Sequence, residues 1–311
     1  MVGQRENAAL RRRNHIRNGS RLADAVICLF AAVLCFITLY PMYYILILSL
    51  SSPQAAATMK VYFLPDGFYL DSYAMLIKNN QIWRAYGNTI IYVMSELILR
   101  LVSCLLMAYP LTVKGLRGRK FVVIYLLIPM YFGGGMIPNY LLITKLGMYN
   151  TMWALIIPGA ISIWHIILMR TYLTSLPDSL RESAFIDGAN HFQVLAYIYT
   201  PVIKPIIAVI SIYTIVGVWN SWFSSMIYQT NTKIQPLQMY LRRVLVDMEV
   251  DVSSVNSGMT MDEVAAAVKQ NQLAHQIRYS MIIFTTLPVL FTYPFFQKHF
   301  VKGVMLGSLK E

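Results

Sequence analysis

Charge is scarce in this sequence. Asp, Glu, Lys and Arg together make up 13% of 311 residues, while 57% are apolar. A soluble domain of this length would bury a large core with far fewer apolar residues, so lipid is the expected solvent. Acids are the rarer sign, 14 against 26 cations, which gives a net charge of +12. The cations sit in short segments between long apolar runs. That pattern fits topology determinants better than a nucleic-acid surface, and no nucleic-acid partner is expected.

Catalytic and metal-binding patterns are missing as well. The sequence contains no GxxxxGK[ST] loop to cradle ATP phosphates. Its five histidines, His15, His165, His191, His275 and His299, fall at no metal-ligand spacing, so no metal is expected. No Ser/His/Asp arrangement emerges, and no catalytic residue is assigned. Cys28, Cys35 and Cys104 all lie in apolar stretches and read as small buried side chains.

Long apolar runs are abundant. A span needs about 20 mostly apolar residues, and six segments qualify: about 23–50, 85–110, 121–143, 149–169, 206–228 and 279–297. The expected fold is therefore all-α, a polytopic membrane protein with six transmembrane helices. The first run carries no charge from Ala25 through Met59. It exceeds a signal-peptide core and reads as an uncleaved first span. Sixteen cations fall on one set of connecting segments and nine on the other, which puts both termini in the cytoplasm. The domain reading is a basic cytoplasmic arm over 1–22, a six-helix transmembrane bundle over 23–298 and a cytoplasmic tail over 299–311. Within the bundle, a cytoplasmic loop covers 173–205 and an outer loop covers 229–276. Trp83, Tyr149, Trp153, Tyr228 and Tyr279 stand near span ends, as interfacial aromatics do. Pro110, Pro129, Pro138, Pro158, Pro288 and Pro294 fall in or beside spans and favour kinked helices.

Few polar groups interrupt the spans. Glu96 and Arg100 stand four apart, so they share one helix face and can pair. An ionisable group in a span reads as functional by default, against the plainer alternative of a self-neutralised structural pair. His165 reads as a packing residue. Gly133, Gly134 and Gly135 read as a packing or flexibility feature. Trp219, Asn220 and Trp222 combine aromatic faces with an amide. That chemistry suits a path for a polar, ring-shaped solute, although Trp at a span end also serves as an anchor. In the outer loop, Gln235, Gln238, Tyr240, Arg242 and Arg243 are candidates for contact with a partner.

Residues 176–205 read as a helix–turn–helix. Pro177 and Asp178 suit a first helical turn, Gly188 suits a left-handed stop, and Asn190 suits a cap for a second helix. Phe192, Leu195, Ala196 and Tyr199 share one face of that helix, which Pro201 and Pro205 break before the fifth span. An amphipathic helix in a short loop docks in a partner's groove or lies flat on the leaflet. Periodicity leaves both open.

This loop resembles the signature of binding-protein-dependent ABC importer permeases. Glu182, Ala184, Gly188, Ile198 and Pro201 match at the right spacing, while Ser183 and Thr200 depart from the usual Ala and Leu. Asp187-Gly188-Ala189, Leu176-Pro177 and Pro205 look like the carbohydrate-uptake, maltose-type branch. The runs 133–140 and 302–310 look like permeases for plant-polysaccharide oligosaccharides from Gram-positive bacteria. The resemblance implies a coupling helix built from Glu182, Ser183, Ala184, Phe185, Asp187, Gly188, Ala189 and Phe192. It also implies a second permease subunit, an ABC ATPase dimer holding ATP and magnesium, and an extracellular solute-binding lipoprotein. The cargo it implies is an oligosaccharide, and this chain would bind no cofactor itself. The rival readings are a permease for a non-sugar solute and an integral-membrane enzyme acting on lipid or cell-wall precursors.

Overall fold

The computed structural model describes residues 2–247 and 260–305, and every regular element among them is helical. In chain order these are α1 (Val2–Leu50), α2 (Pro53–Thr58), α3 (Asp71–Lys78), α4 (Asn80–Ala108), α5 (Arg119–Tyr131), α6 (Met136–Lys145), α7 (Trp153–Ala160) and α8 (Ile163–Thr174). Then come α9 (Ser179–Ile186), α10 (His191–Val202), α11 (Lys204–Trp219), α12 (Phe223–Tyr228), α13 (Leu237–Asp247) and α14 (Met261–Met305).

Three stretches are long and apolar enough to cross a membrane: Ala23–Leu50, Asn80–Thr112 and Trp153–Thr174, the last joining α7 and α8 across a two-residue break. Two further candidates are bent pairs, α5 with α6 at 109° and α10 with α11 at 79°. The expected third span, 121–143, is therefore not one straight helix. Phe132 ends α5, and Gly135 takes φ 84 and ψ 175 before α6 begins. That backbone is essentially reserved for glycine, so the glycine run is a corner. The expected fifth span is also interrupted, because α11 stops at Trp219 and α12 restarts at Phe223. The sixth lies within α14, which carries Pro288 and Pro294 internally. The basic arm and the first span share the single helix α1.

The chain divides into two units. One comprises Met1–Ser72 with Val252–Ile283, the other Tyr73–Asp251 with Phe284–Glu311. In the first, Ile47, Leu48, Ala55 and Val61 form a small core with Tyr44 and Tyr279 against it. Two polar seams close it: Ser72 and Ser280 share a hydroxyl bond of 2.8 Å, and the Gln276 amide donates to the Ser51 carbonyl at 2.6 Å. Upstream, α1 exposes Val26, Ile27, Leu29 and Phe30 on successive faces. A helix apolar all round belongs in lipid. Cys28 and Cys35 are exposed on this same helix, contrary to expectation, because among the described residues no other element covers them; Cys104 is buried.

The second unit has the larger core. Cys104, Ala108 and Tyr109 from the end of α4 meet Ile166, Met169 and Leu173 of α8, together with Ala184 of α9. Val194, Leu195 and Tyr199 of α10, Ile203 at the bend, and Ile206 and Ile210 of α11 complete it. One apolar cluster thus anchors the 176–205 hairpin to the ends of α4, α8 and α11.

Candidate functional site: a surface hairpin and a central cavity

The hairpin is built by local rules. At its start, the Asp178 carboxylate accepts from Lys114 at 2.5 Å and from Arg181 at 2.9 Å. The hydrogen bond from Lys114, with the charge of Lys114 and then that of Arg181, holds the Asp178 carboxyl below its ordinary range. At the far end of α9, Gly188 adopts φ 83, and the Ala189 N–H donates to the Ala184 carbonyl at 2.9 Å. This is a left-handed helix stop. Asn190 and Gln193 then form a reciprocal capping box at 2.9 and 2.8 Å, which starts α10.

Residues Val194–Tyr199 form a π turn just before Pro201. Proline has no N–H to donate, and a wider turn accommodates the missing bond. The Thr200 hydroxyl meets the Leu195 carbonyl at 2.7 Å there. Pro201 therefore lies inside the helical run, and the sharp bend comes at Ile203, ahead of Pro205.

Among the eight expected coupling residues, Glu182, Ser183, Phe185, Asp187, Gly188 and Phe192 are exposed. Ala184 is buried and Ala189 half-buried, both facing the chain's own core. Ile186 is 86% exposed and Tyr197 76%, and sequence reasoning nominated neither. Leaving Ile186 in water is costly, and its position next to Phe185 was the available signal. Phe185 packs edge-on to His191 with centroids 4.9 Å apart, and His191 Nδ1 lies 3.0 Å from the Tyr109 hydroxyl. The exposed surface is thus an apolar cluster, flanked by the acids Glu182 and Asp187, on a braced scaffold.

The second feature is a cavity of about 690 Å³ lined by α4, α6, α7 and the α11–α12 break. Glu96 and Arg100 pair across one turn of α4 and both line it. Arg100 also donates from Nε and Nη2 to the Gly159 carbonyl, and from Nη1 to the Thr214 hydroxyl at 3.3 Å. Near the opposite end of the wall, Tyr92 donates to the Ile234 carbonyl at 2.7 Å and accepts from the buried Gln229 amide at 2.8 Å. His165 is buried on α8 with its ring 6.4 Å from that of Tyr213, and among the described residues its Nδ1 meets no hydrogen-bond partner.

Trp219, Asn220 and Trp222 do not line this cavity; Gly217, Val218, Ser221 and Ser224 from the same segment do. The Trp219 indole is buried against Tyr86 and donates to the Thr285 carbonyl at 3.1 Å. Asn220 ends α11 through its backbone N–H. Trp222 lies under the Arg242 guanidinium, 5.0 Å from its centroid. In the outer loop, Gln235 is buried, accepting from Arg243 and donating to the Gln229 carbonyl. Tyr240 accepts from Asn79 at 3.1 Å.

Comparison with known proteins agrees with this architecture. Residues 93–306 match the family described as binding-protein-dependent transport system inner membrane component. Protein LplC of Bacillus subtilis (strain 168) is 34% identical over 296 residues, covering 95% of this chain and 97% of that protein. The polygalacturonan/rhamnogalacturonan transport system permease protein YtcP of the same organism is 31% identical, covering 94% of this chain and 99% of that protein. Among solved structures, one chain of a bacterial ABC transporter involved in import of the acidic polysaccharide alginate matches with a TM-score of 0.80. It is 29% identical and covers 90% of this chain and 97% of that one.

Proposed function

Because the chain belongs to the family of binding-protein-dependent transport system inner membrane components, we propose that it forms half of the transmembrane pathway of an oligosaccharide importer. As a member of that family it is a permease component of an ABC importer, residing in the inner membrane. The other half is a second, different permease subunit. An ATPase dimer holding ATP and magnesium drives the pair, and an extracellular solute-binding lipoprotein delivers the cargo. Both termini face the cytoplasm in this reading. That YtcP is a polygalacturonan/rhamnogalacturonan transport permease, and that the similar solved transporter imports alginate, supports a polysaccharide-derived cargo.

The observation that carries the coupling role is the exposed cluster of Glu182, Phe185, Ile186 and Phe192. Exposed apolar side chains of this size on a hairpin anchored to the core suit a groove on a soluble partner. ATPase closure would then push a lever fused to α4, α8 and α11, biasing the bundle between inward- and outward-open states. Uptake of labelled oligosaccharide by cells carrying Glu182→Ala is the test. A drop of about tenfold, equivalent to ~1.4 kcal/mol, with normal membrane levels and reduced ATPase co-purification supports the reading. Undiminished uptake by both Glu182→Ala and Ile186→Ser would remove it.

A further inference from the structure

A separate cavity of about 740 Å³ opens where the loop after α4 meets α5 and α8. Lys114, Arg119, Lys120 and Arg170 line it together with the apolar Val123 and Ile124. Four cations around one cavity repel each other, and more strongly where water is partly excluded. The chain provides little to offset them. Lys114 pairs with Asp178, but among the described residues no carboxylate pairs with Arg119, Lys120 or Arg170.

Two further observations favour an anion as the ligand. Arg170 Nε is buried with no hydrogen-bond partner, and an unmade bond from a buried charged donor is costly. Arg119 and Lys120 open α5, whose first turn holds no acid and whose cap, Gly118, offers no side chain. A helix N-terminus favours anions and opposes cations. One bound anion would answer the repulsion, the orphaned Nε and the helix end together.

The apolar wall identifies the kind of anion. Val123 and Ile124 follow Lys120 within about one turn of α5, and Phe121, Ile124 and Tyr125 are exposed along the same helix. A free phosphate has no use for that surface. A phosphate esterified to acyl chains covers it. The geometry points to a binding site for an anionic phospholipid, its phosphate among Arg119, Lys120 and Arg170 and its chain along Ile124. Basic pockets between membrane helices hold such headgroups elsewhere. Lys114 lines this cavity and also grips Asp178 at the start of α9. Lipid occupancy therefore bears on the cation that steadies the hairpin.

Native mass spectrometry of the full-length chain in neutral-detergent micelles tests the site. Phosphatidylglycerol or phosphatidylcholine is titrated in, and the retained lipid is counted. The wild type should retain phosphatidylglycerol in preference to phosphatidylcholine. Arg119→Gln/Lys120→Gln should weaken that retention by about tenfold or more, and Arg170→Gln should do the same. Lys145→Gln, far along α6, should leave it unchanged. The double variant changes the first-turn residues of α5 and covers the case in which Arg170→Gln fails to fold. Equal retention of the two lipids overturns the site, as does wild-type retention by the double variant. Full displacement by excess inorganic phosphate would reduce it to an ion site and overturn the lipid assignment.

Discussion

Arg100 reaches from α4 to place both Nε and Nη2 on one oxygen, the Gly159 carbonyl, at 2.9 and 2.7 Å. That carbonyl lies in the last turn of α7, where helix oxygens lack intrahelical donors. Ser103, one turn along α4, donates to the next carbonyl, Ala160, at 2.7 Å. Thus α4 caps the C-terminus of α7 with a cation and a hydroxyl. In a span this is worth more than in water, because lipid offers no substitute donor. A methyl at Gly159 would fall inside the Glu96 carboxylate. Gly159→Ala should therefore destabilise by about 1–3 kcal/mol, the usual cost of overpacking. Thermal unfolding in detergent reads the effect, and an unchanged midpoint would mean that Glu96 swings away freely.

The Glu96–Arg100 pair calls for a different experiment. Side-chain exposure is 13% for Arg100 and 10% for Glu96. Removing one partner leaves a charge with poor solvation, at a cost of roughly 3–5 kcal/mol, whereas replacing both is often far milder. Arg100→Met should thus be the most damaging variant. It strands Glu96 and also uncaps the Gly159 carbonyl. Glu96→Met should cost less, and the double variant should recover part of the Arg100→Met loss. A double variant that unfolds at the sum of the single effects would show that the ion pair has no coupling of its own.

Local features were the legible ones. Gly188 stopping α9 and Asn190 starting α10 depend on residues within four positions, and the spacing specified both. The Glu96–Arg100 pairing was readable for the same reason. The third member, the Gly159 carbonyl, lies 59 residues from Arg100 and left no mark on the pattern. Apolar counting found the third span but not its corner, because hydropathy is blind to the φ of Gly135. Trp219 had the right chemistry for a sugar face, yet Tyr86 and Thr285 bury it. Its small neighbours, Gly217 and Ser221, line the cavity instead.

Asp178 sets a pH limit on the hairpin. Its carboxyl, bonded to Lys114 and then to Arg181, is held below its ordinary value of 3.8. The unfolded chain binds this proton more readily than the folded one, so stability falls as pH falls. The contribution is whole above about pH 4 and is lost as pH drops through the lowered folded value. From neutrality down to about pH 5 the hairpin should not respond. Hydrogen exchange at Leu180, Arg181 and Glu182, corrected for the intrinsic rate, should accelerate only below that window. Asp178→Asn should exchange faster at neutral pH and lose the acid step. A step well above that window would show that a group other than Asp178 governs the hairpin.

The corner at Gly135 yields the most local prediction. With φ 84 and ψ 175, this residue occupies a region that an L side chain enters only at about 1–3 kcal/mol. Space is not the obstacle, since a methyl there would meet no atom within 4 Å. Any penalty for Gly135→Ala is thus purely conformational. Gly133 offers an internal control, because it has equal room and no positive φ. Gly133→Ala should be near neutral, or slightly stabilising through the unfolded chain. Gly135→Ala should lower the unfolding midpoint or straighten the 109° bend between α5 and α6. Spin-label distances between Val123 and Thr144 would separate these outcomes, because straightening lengthens the distance and strain alone does not. Equal midpoints for the two alanine variants, with no change in distance, would show that the corner does not depend on glycine at 135.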